Sequence, residues 1–166
     1  MKTPVGFNVV AVVVGATLFY TYVGQLVPQK EIQPPPVIEI TSEMTPVELA
    51  KIGNKLAHDK GMCLTCHTIG LPANAPHRYP DLAGVAERAK TRIPGLSQLE
   101  YFTQTLCEPD AYIVPGFAKG MPTINKAPIG LSVPELHAII AWLESQGGEP
   151  TITLKDPLPP YCGTAS

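Results

Sequence analysis

Apolar positions along the chain fall into two regimes, one continuous and one periodic. Residues 5–27 carry no charge, and the run VVAVVVGATLFYTYVGQLV within them is dominated by Val, Ala, Leu and aromatic side chains. From residue 45 onward apolar positions instead recur at i, i+3, i+4 and i+7, the spacing of one helix face. The first such face is Leu49, Ile52, Gly53 and Leu56, the second Leu99, Phe102, Thr103 and Leu106, and the third Leu136, Ile139, Ile140 and Leu143. Each opens on a Ser/Thr-x-x-Glu capping box: Thr45-Pro46-Val47-Glu48, Ser97-Gln98-Leu99-Glu100 and Ser132-Val133-Pro134-Glu135. In such a box the hydroxyl and the carboxylate each accept a backbone N–H that the helix start leaves unpaired. Proline in the first turn of the first and third boxes fits the same reading. A shorter helix is expected over residues 81–90, capped by Asp81. No strand pair and no internal repeat stand out, so the fold class is mostly α with long loops.

The continuous regime reads as a membrane segment, since roughly 20 apolar residues cross a bilayer as a helix. Tyr20 and Tyr22 stand near its far end, where amphipathic rings favour the interface. The competing reading is a cleaved secretory signal. The run exceeds a usual signal core, no A-x-A site follows it, and no lipobox cysteine is present, so an uncleaved anchor over residues 1–27 is expected. Lys2 precedes the segment while Lys30 and Glu31 balance beyond it, so charge gives orientation only weakly. Gly6, Asn8 and Gly15 suit close helix–helix contact in lipid. Residues 28–44 follow as a linker whose Pro34-Pro35-Pro36 favours a semi-rigid polyproline II spacer. The periodic domain occupies residues 45–148, and an extended tail, residues 149–166, completes the chain.

Composition narrows the partners. The 166 residues include 19 prolines, clustered outside the helical segments, and the formal charge is −2. A balanced charge supplies no basic field, which leaves nucleic acid without support.

The chemistry centres on GMCLTCHTIG, residues 61–70, where Cys63-x-x-Cys66 is followed directly by His67. A zinc site calls for a second ligand pair at fixed spacing, and the remaining cysteines, Cys107 and Cys162, lie far apart. A thioredoxin-like dithiol belongs in a strand–helix context, which the pattern here does not offer. C-x-x-C-H is the attachment string for a c-type haem: two thiols form thioethers with the vinyl groups, and the adjacent histidine serves as axial ligand.

Over residues 45–148 the chain resembles the mono-haem class I c-type cytochromes. The resemblance rests on a first helix carrying Gly53 ahead of Cys63-Leu64-Thr65-Cys66-His67, and on YPDLAGVAERA, similar to the stretch that packs on the haem. EPDAYIVPGFAKGMP resembles the methionine loop, and ELHAIIAWLESQGG the C-terminal helix. It implies a class I cytochrome c-like helical domain behind one N-terminal transmembrane helix, with one covalent haem c. It also implies a glycine–aromatic helix crossing at Gly53 and Trp142, for which a generic core aromatic is the alternative.

The resemblance further implies a second axial ligand, and Met121, 121 − 67 = 54 positions after His67, stands in the matching Gly/Pro-rich loop. Met1 lies in the anchor, Met44 precedes the first helix, and Met62 abuts Cys63. His58, His77 and His137 remain as bis-histidine alternatives. Arg78 and Tyr79 are candidate partners of the haem propionates, and Pro72 or Pro76 a candidate carbonyl for orienting His67. A domain matured in an oxidising compartment favours a Cys107–Cys162 bridge, with free thiols or an intermolecular bridge as alternatives.

His/Met ligation gives six-coordinate iron without an open position, so electron transfer is expected rather than catalysis or sensing; Asn125 and Lys126 are weak distal groups. The anchor and the tail, long enough to lie across another subunit, suggest a non-enzymatic subunit of a respiratory or photosynthetic membrane complex. Its haem domain is expected on the periplasmic (extracytoplasmic) side, facing redox donor and acceptor proteins. The alternative is an independent anchored carrier.

Overall fold

The computed structural model describes residues 4–27, 39–72, 76 and 78–163. The chain divides into two units, Met1–Val37 and Ile38–Ser166. In the first, helix α1 spans Val5–Leu26, 22 residues with no buried side chain. At 1.5 Å per residue this is about 33 Å, and the helix is long and apolar enough to cross a membrane. Thr17 Oγ1 donates to the Val13 carbonyl at 2.8 Å, one turn back along the same helix, so this hydroxyl needs no water as its acceptor.

The second unit is helical, and no strand occurs among the described residues. Its helices are α2 (Pro46–His58), α3 (Cys63–Cys66), α4 (Val85–Arg92), α5 (Gln98–Cys107) and α6 (Val133–Glu144), followed by a 3₁₀ turn at Pro160–Cys162. The expected caps are in place. Glu48 Oε2 accepts the Thr45 N–H at 2.8 Å, Glu100 Oε2 that of Ser97 at 2.7 Å, and Glu135 Oε2 that of Ser132 at 2.7 Å. Lys60 Nζ adds an ion pair to Glu135 at 2.7 Å, linking the end of α2 to the start of α6.

Helix α6 is the centre of the core, buried on every face from Leu136 to Glu144. Each of its large apolar side chains contributes about 1.5–3 kcal/mol on leaving water. It packs chiefly on α2, and the crossing is set by Gly53. A Cβ at Gly53 would overlap the Ala138 carbonyl and lie 2.7 Å from Trp142 Cβ. The two backbones therefore touch where Gly53 and Trp142 meet, as the glycine–aromatic crossing requires. Gly53→Ala is expected to force the helices apart and to lower stability by about 3 kcal/mol, the upper end for overpacking, because backbone rather than a mobile side chain must yield. Denaturant titration followed by circular dichroism measures it, and a loss under about 1 kcal/mol would contradict this packing.

Three boundaries differ from the sequence expectation. Residues 28–38 of the linker lie outside the described residues, but Ile40 and Met44 pack against the core, so the domain starts earlier than residue 45. Helix α4 begins at Val85 with Gly84 as its cap at φ +68°, and Asp81 does not cap it. The carboxylate is engaged elsewhere: it accepts Thr68 Oγ1 at 2.7 Å, the N–H groups of Gly70 and Leu71 at 3.0 and 3.1 Å, and that of Ala83 at 2.8 Å.

The tail is the third difference. It runs back over its own domain and does not extend away as an arm. Buried Glu144 on α6 accepts the N–H groups of Thr151 and Ile152 at 2.6 and 3.1 Å, and Ile152 itself is buried. His137, buried at 3% exposure, sets its Nε2 2.9 Å from the Asp156 carbonyl and its Nδ1 2.8 Å from that of Val133. A disulfide joins Cys107 to Cys162.

Candidate cofactor site

The C-x-x-C-H string folds as a tight corner. Met62, in the left-handed region at φ +52°, turns the chain into α3, and the His67 N–H closes that turn on the Cys63 carbonyl at 2.9 Å. Cys63, Cys66 and His67 thereby face a single cavity of about 180 Å³. A water needs on the order of 10–15 Å³ by the same measure, so the cavity holds far more than one. Its walls are mostly apolar, among them Leu82, Val85, Phe102, Leu106, Ile139 and Leu143. Protein interiors are otherwise close-packed, and a space this large with such walls suits a bulky apolar group.

His67 is held in one orientation. Its Nδ1–H donates to the Pro80 carbonyl at 2.8 Å, because a carbonyl only accepts. Nδ1 thus carries a proton, and in the neutral ring this leaves the Nε2 lone pair for a metal, the usual arrangement of a ligating histidine. The carbonyl belongs to Pro80 and not to Pro72 or Pro76. Asp81 ties the chain beside this carbonyl back to residues 68–71. Its limited burial opposes the charge, but the hydrogen bonds from Thr68, Gly70, Leu71 and Ala83 outweigh this and hold the carboxyl well below its usual range. The Leu82 N–H to Thr68 carbonyl bond, at 2.8 Å, makes the same link.

Met121 lines the cavity too, between Gly120 and Pro122. His58 and His137 do not line it, and each has its Nδ1 on a carbonyl of its own helix, at 2.8 Å in both cases. His77 lies outside the described residues. Among the histidines described, His67 alone reaches the cavity.

The cysteines separate the chemical readings. Burial pushes the Cys63 thiol up to about 11, whereas a disulfide oxidoreductase needs an easily formed thiolate. Among the described residues no three His, Cys, Asp or Glu side chains converge as a metal site.

No protein-family model and no curated protein matches this chain.

Tyr79 reaches the cavity wall, its ring centre 6.1 Å from that of His67. Arg78 does not line it. Its guanidinium lies over the Tyr79 ring, 5.6 Å from the centroid, on the exposed side. The cations on the wall are Arg88, Arg92 and Lys119, the last paired with Asp110 at 3.4 Å, and Tyr101 and Tyr112 stand with them. Arg88 donates to the carbonyls of Ala83 and Asp81 at 2.5 and 2.6 Å, tying α4 to the segment beside the Pro80 carbonyl. These arginines do not stand out in the sequence, although their i, i+4 spacing in a helix whose Ala86 and Ala89 are buried puts them on one face.

The residues fit a haem. Two thiols and an oriented imidazole stand together on an apolar cavity, a thioether reaches its wall, and two guanidinium groups border it where carboxylates could be met.

Proposed function

We propose that this chain is a membrane-anchored electron carrier with one covalently attached haem c. The observation that carries the reading is the meeting of Cys63, Cys66, His67 and Met121 on one apolar cavity, with His67 already oriented by the Pro80 carbonyl. When bound, the haem supplies a one-electron couple. Cys63 and Cys66 would hold it through thioethers, His67 Nε2 and Met121 Sδ would bind its iron, and Arg88 and Arg92 would balance its propionates. The apolar walls exclude water and so limit solvent reorganisation around a change of charge.

With both His67 and Met121 bound to the iron no position would remain for a substrate, which favours a carrier over an enzyme or gas sensor. The Cys107–Cys162 disulfide fits an oxidising compartment, hence a domain on the extracytoplasmic side of the membrane crossed by α1. Retention of α1 as an anchor, and membership of a respiratory or photosynthetic complex, belong to the same proposal.

Expression with a cytochrome c maturation system is expected to give a chain heavier by one haem that stays attached under denaturing conditions. The Cys63→Ala, Cys66→Ala double variant should lose it altogether. A wild-type chain of unmodified mass from cells that mature other c-type cytochromes would overturn the reading. Carbon monoxide should not bind the reduced protein at neutral pH; prompt binding would favour the sensor or enzyme.

A further inference from the structure

Between α5 and α6 lie 25 residues, 108–132, without a helix or strand, and Met121 sits in the middle of them. A ligand on such a segment is only as well placed as the few fasteners that hold it. Two adjacent residues just past Met121 supply them. Ile124, buried at 2% exposure, donates its N–H to the Leu106 carbonyl at 3.1 Å, at the end of α5. Asn125 donates Nδ2–H to the Cys162 carbonyl at 2.8 Å, in the tail. Leu106 is followed in the chain by Cys107, and Cys107 is bonded to Cys162. The path therefore closes on itself, from Ile124 to Leu106, through Cys107 and the disulfide to Cys162, and back through Asn125 to Ile124.

The side chain of Asn125 is committed to this one bond. Its Oδ1 is buried with no hydrogen-bond partner among the described residues, an unfavourable placement that a simple packing role does not call for. On its way to Cys162 the tail is held against the domain by Glu144, by His137 and by buried Ile152.

We propose that the tail is a strap that positions Met121, with Asn125 and the Cys107–Cys162 disulfide as its positioning residues. This rests on the reading of Met121 as a haem ligand. The strap holds the loop so that the thioether stays at the cavity wall; release of the strap lets the loop move away and leaves the sixth position accessible.

The test uses the full chain in detergent with two variants. Asn125→Leu keeps the side chain's volume, removes the donor and also removes the unpartnered oxygen, so the fold is expected to hold. Cys107→Ala with Cys162→Ala opens the disulfide. Two readouts apply to each: amide hydrogen exchange over residues 119–131, and the weak red absorbance band of an iron–thioether bond together with carbon monoxide binding. Exchange at Ile124 is expected to accelerate at least about fivefold, as loss of one such bond implies. The thioether band should weaken and carbon monoxide should bind, with helix content and covalent haem unchanged. An unaltered band, no carbon monoxide binding and wild-type exchange in Asn125→Leu would overturn the proposal even if the double cysteine variant fails to fold. Absence of covalent haem from the wild type would instead defeat the haem reading, and the exchange data alone would then decide whether the strap holds the loop.

Discussion

Replacing Met121 by histidine in the haem-loaded chain is expected to lower its midpoint potential by on the order of 0.2 V, part of the roughly 0.8 V over which axial ligands set haem potentials. The direction follows from ligand character. A thioether is soft and stabilises the reduced iron, whereas a second imidazole favours the oxidised form. The red band that marks iron–thioether bonding should vanish in the same variant. Redox titration of the purified protein under visible spectroscopy reads both. An unchanged spectrum and potential would remove Met121 from the ligand set. The neighbouring histidines would not substitute, since His58 is exposed on α2 and His137 is buried under the tail, away from the cavity.

The residues around the ligand explain why the loop, and not a helix, can present it. Gly120 has φ +149° and stands by the Tyr79 ring, where an added Cβ would lie 3.7 Å from the hydroxyl. The chain can thus pass close to Tyr79 before turning the methionine to the wall, and Pro122 follows directly. A glycine and a proline flanking a methionine are legible in the amino-acid sequence alone.

Other parts of the fold were readable for the same reason. A capping box is local: Thr45 and Glu48, or Ser97 and Glu100, lie three residues apart and find each other whatever the rest of the chain does. The helix faces follow from period alone, whereas the match of Gly53 with Trp142 comes through the resemblance, and the close backbone approach at Gly53 agrees with it. What stayed hidden depends on the route of loops. Pro72, Pro76 and Pro80 all follow the motif within 13 residues of His67, and only the path fixed by Asp81 decides that Pro80 presents its carbonyl. Asp81 reads as a helix cap because Asp commonly is one, yet its four donors come from Thr68, Gly70, Leu71 and Ala83. The tail has no periodicity to betray its burial. Its course is set by long-range partners such as Glu144, which no local pattern marks, and His137, which reads in sequence only as an alternative ligand.

Deleting residues 1–27 is expected to move the chain wholly from the membrane to the soluble fraction, with the redox spectrum of the remainder unchanged. The all-or-none character follows from burial: α1 is an uncharged helix of 22 residues that exposes every side chain, and nothing among the described residues of its own unit shelters it. The folded unit Ile38–Ser166 carries its own core, disulfide and cavity, so nothing in the site is lost with the anchor. Carbonate extraction of membranes followed by haem absorbance measures the partition. Residual membrane attachment of the truncated chain would point to a partner rather than to lipid as its tether. With α1 held in a membrane, residues 28–38 would tether the helical unit by at most about 40 Å of extended chain. On the carrier reading proposed above, such confinement raises effective concentration toward a fixed neighbour and forfeits diffusion between distant ones. With the tail fastened to its own domain, any lasting association must use α1, where Gly6, Asn8 and Gly15 offer small and polar positions for a neighbouring helix, or the exposed surface of the helical unit. Solubilisation in mild detergent should therefore bring the chain out in a larger assembly. Migration as a lone monomer under every gentle condition would leave it an anchored carrier that meets its partners only in passing.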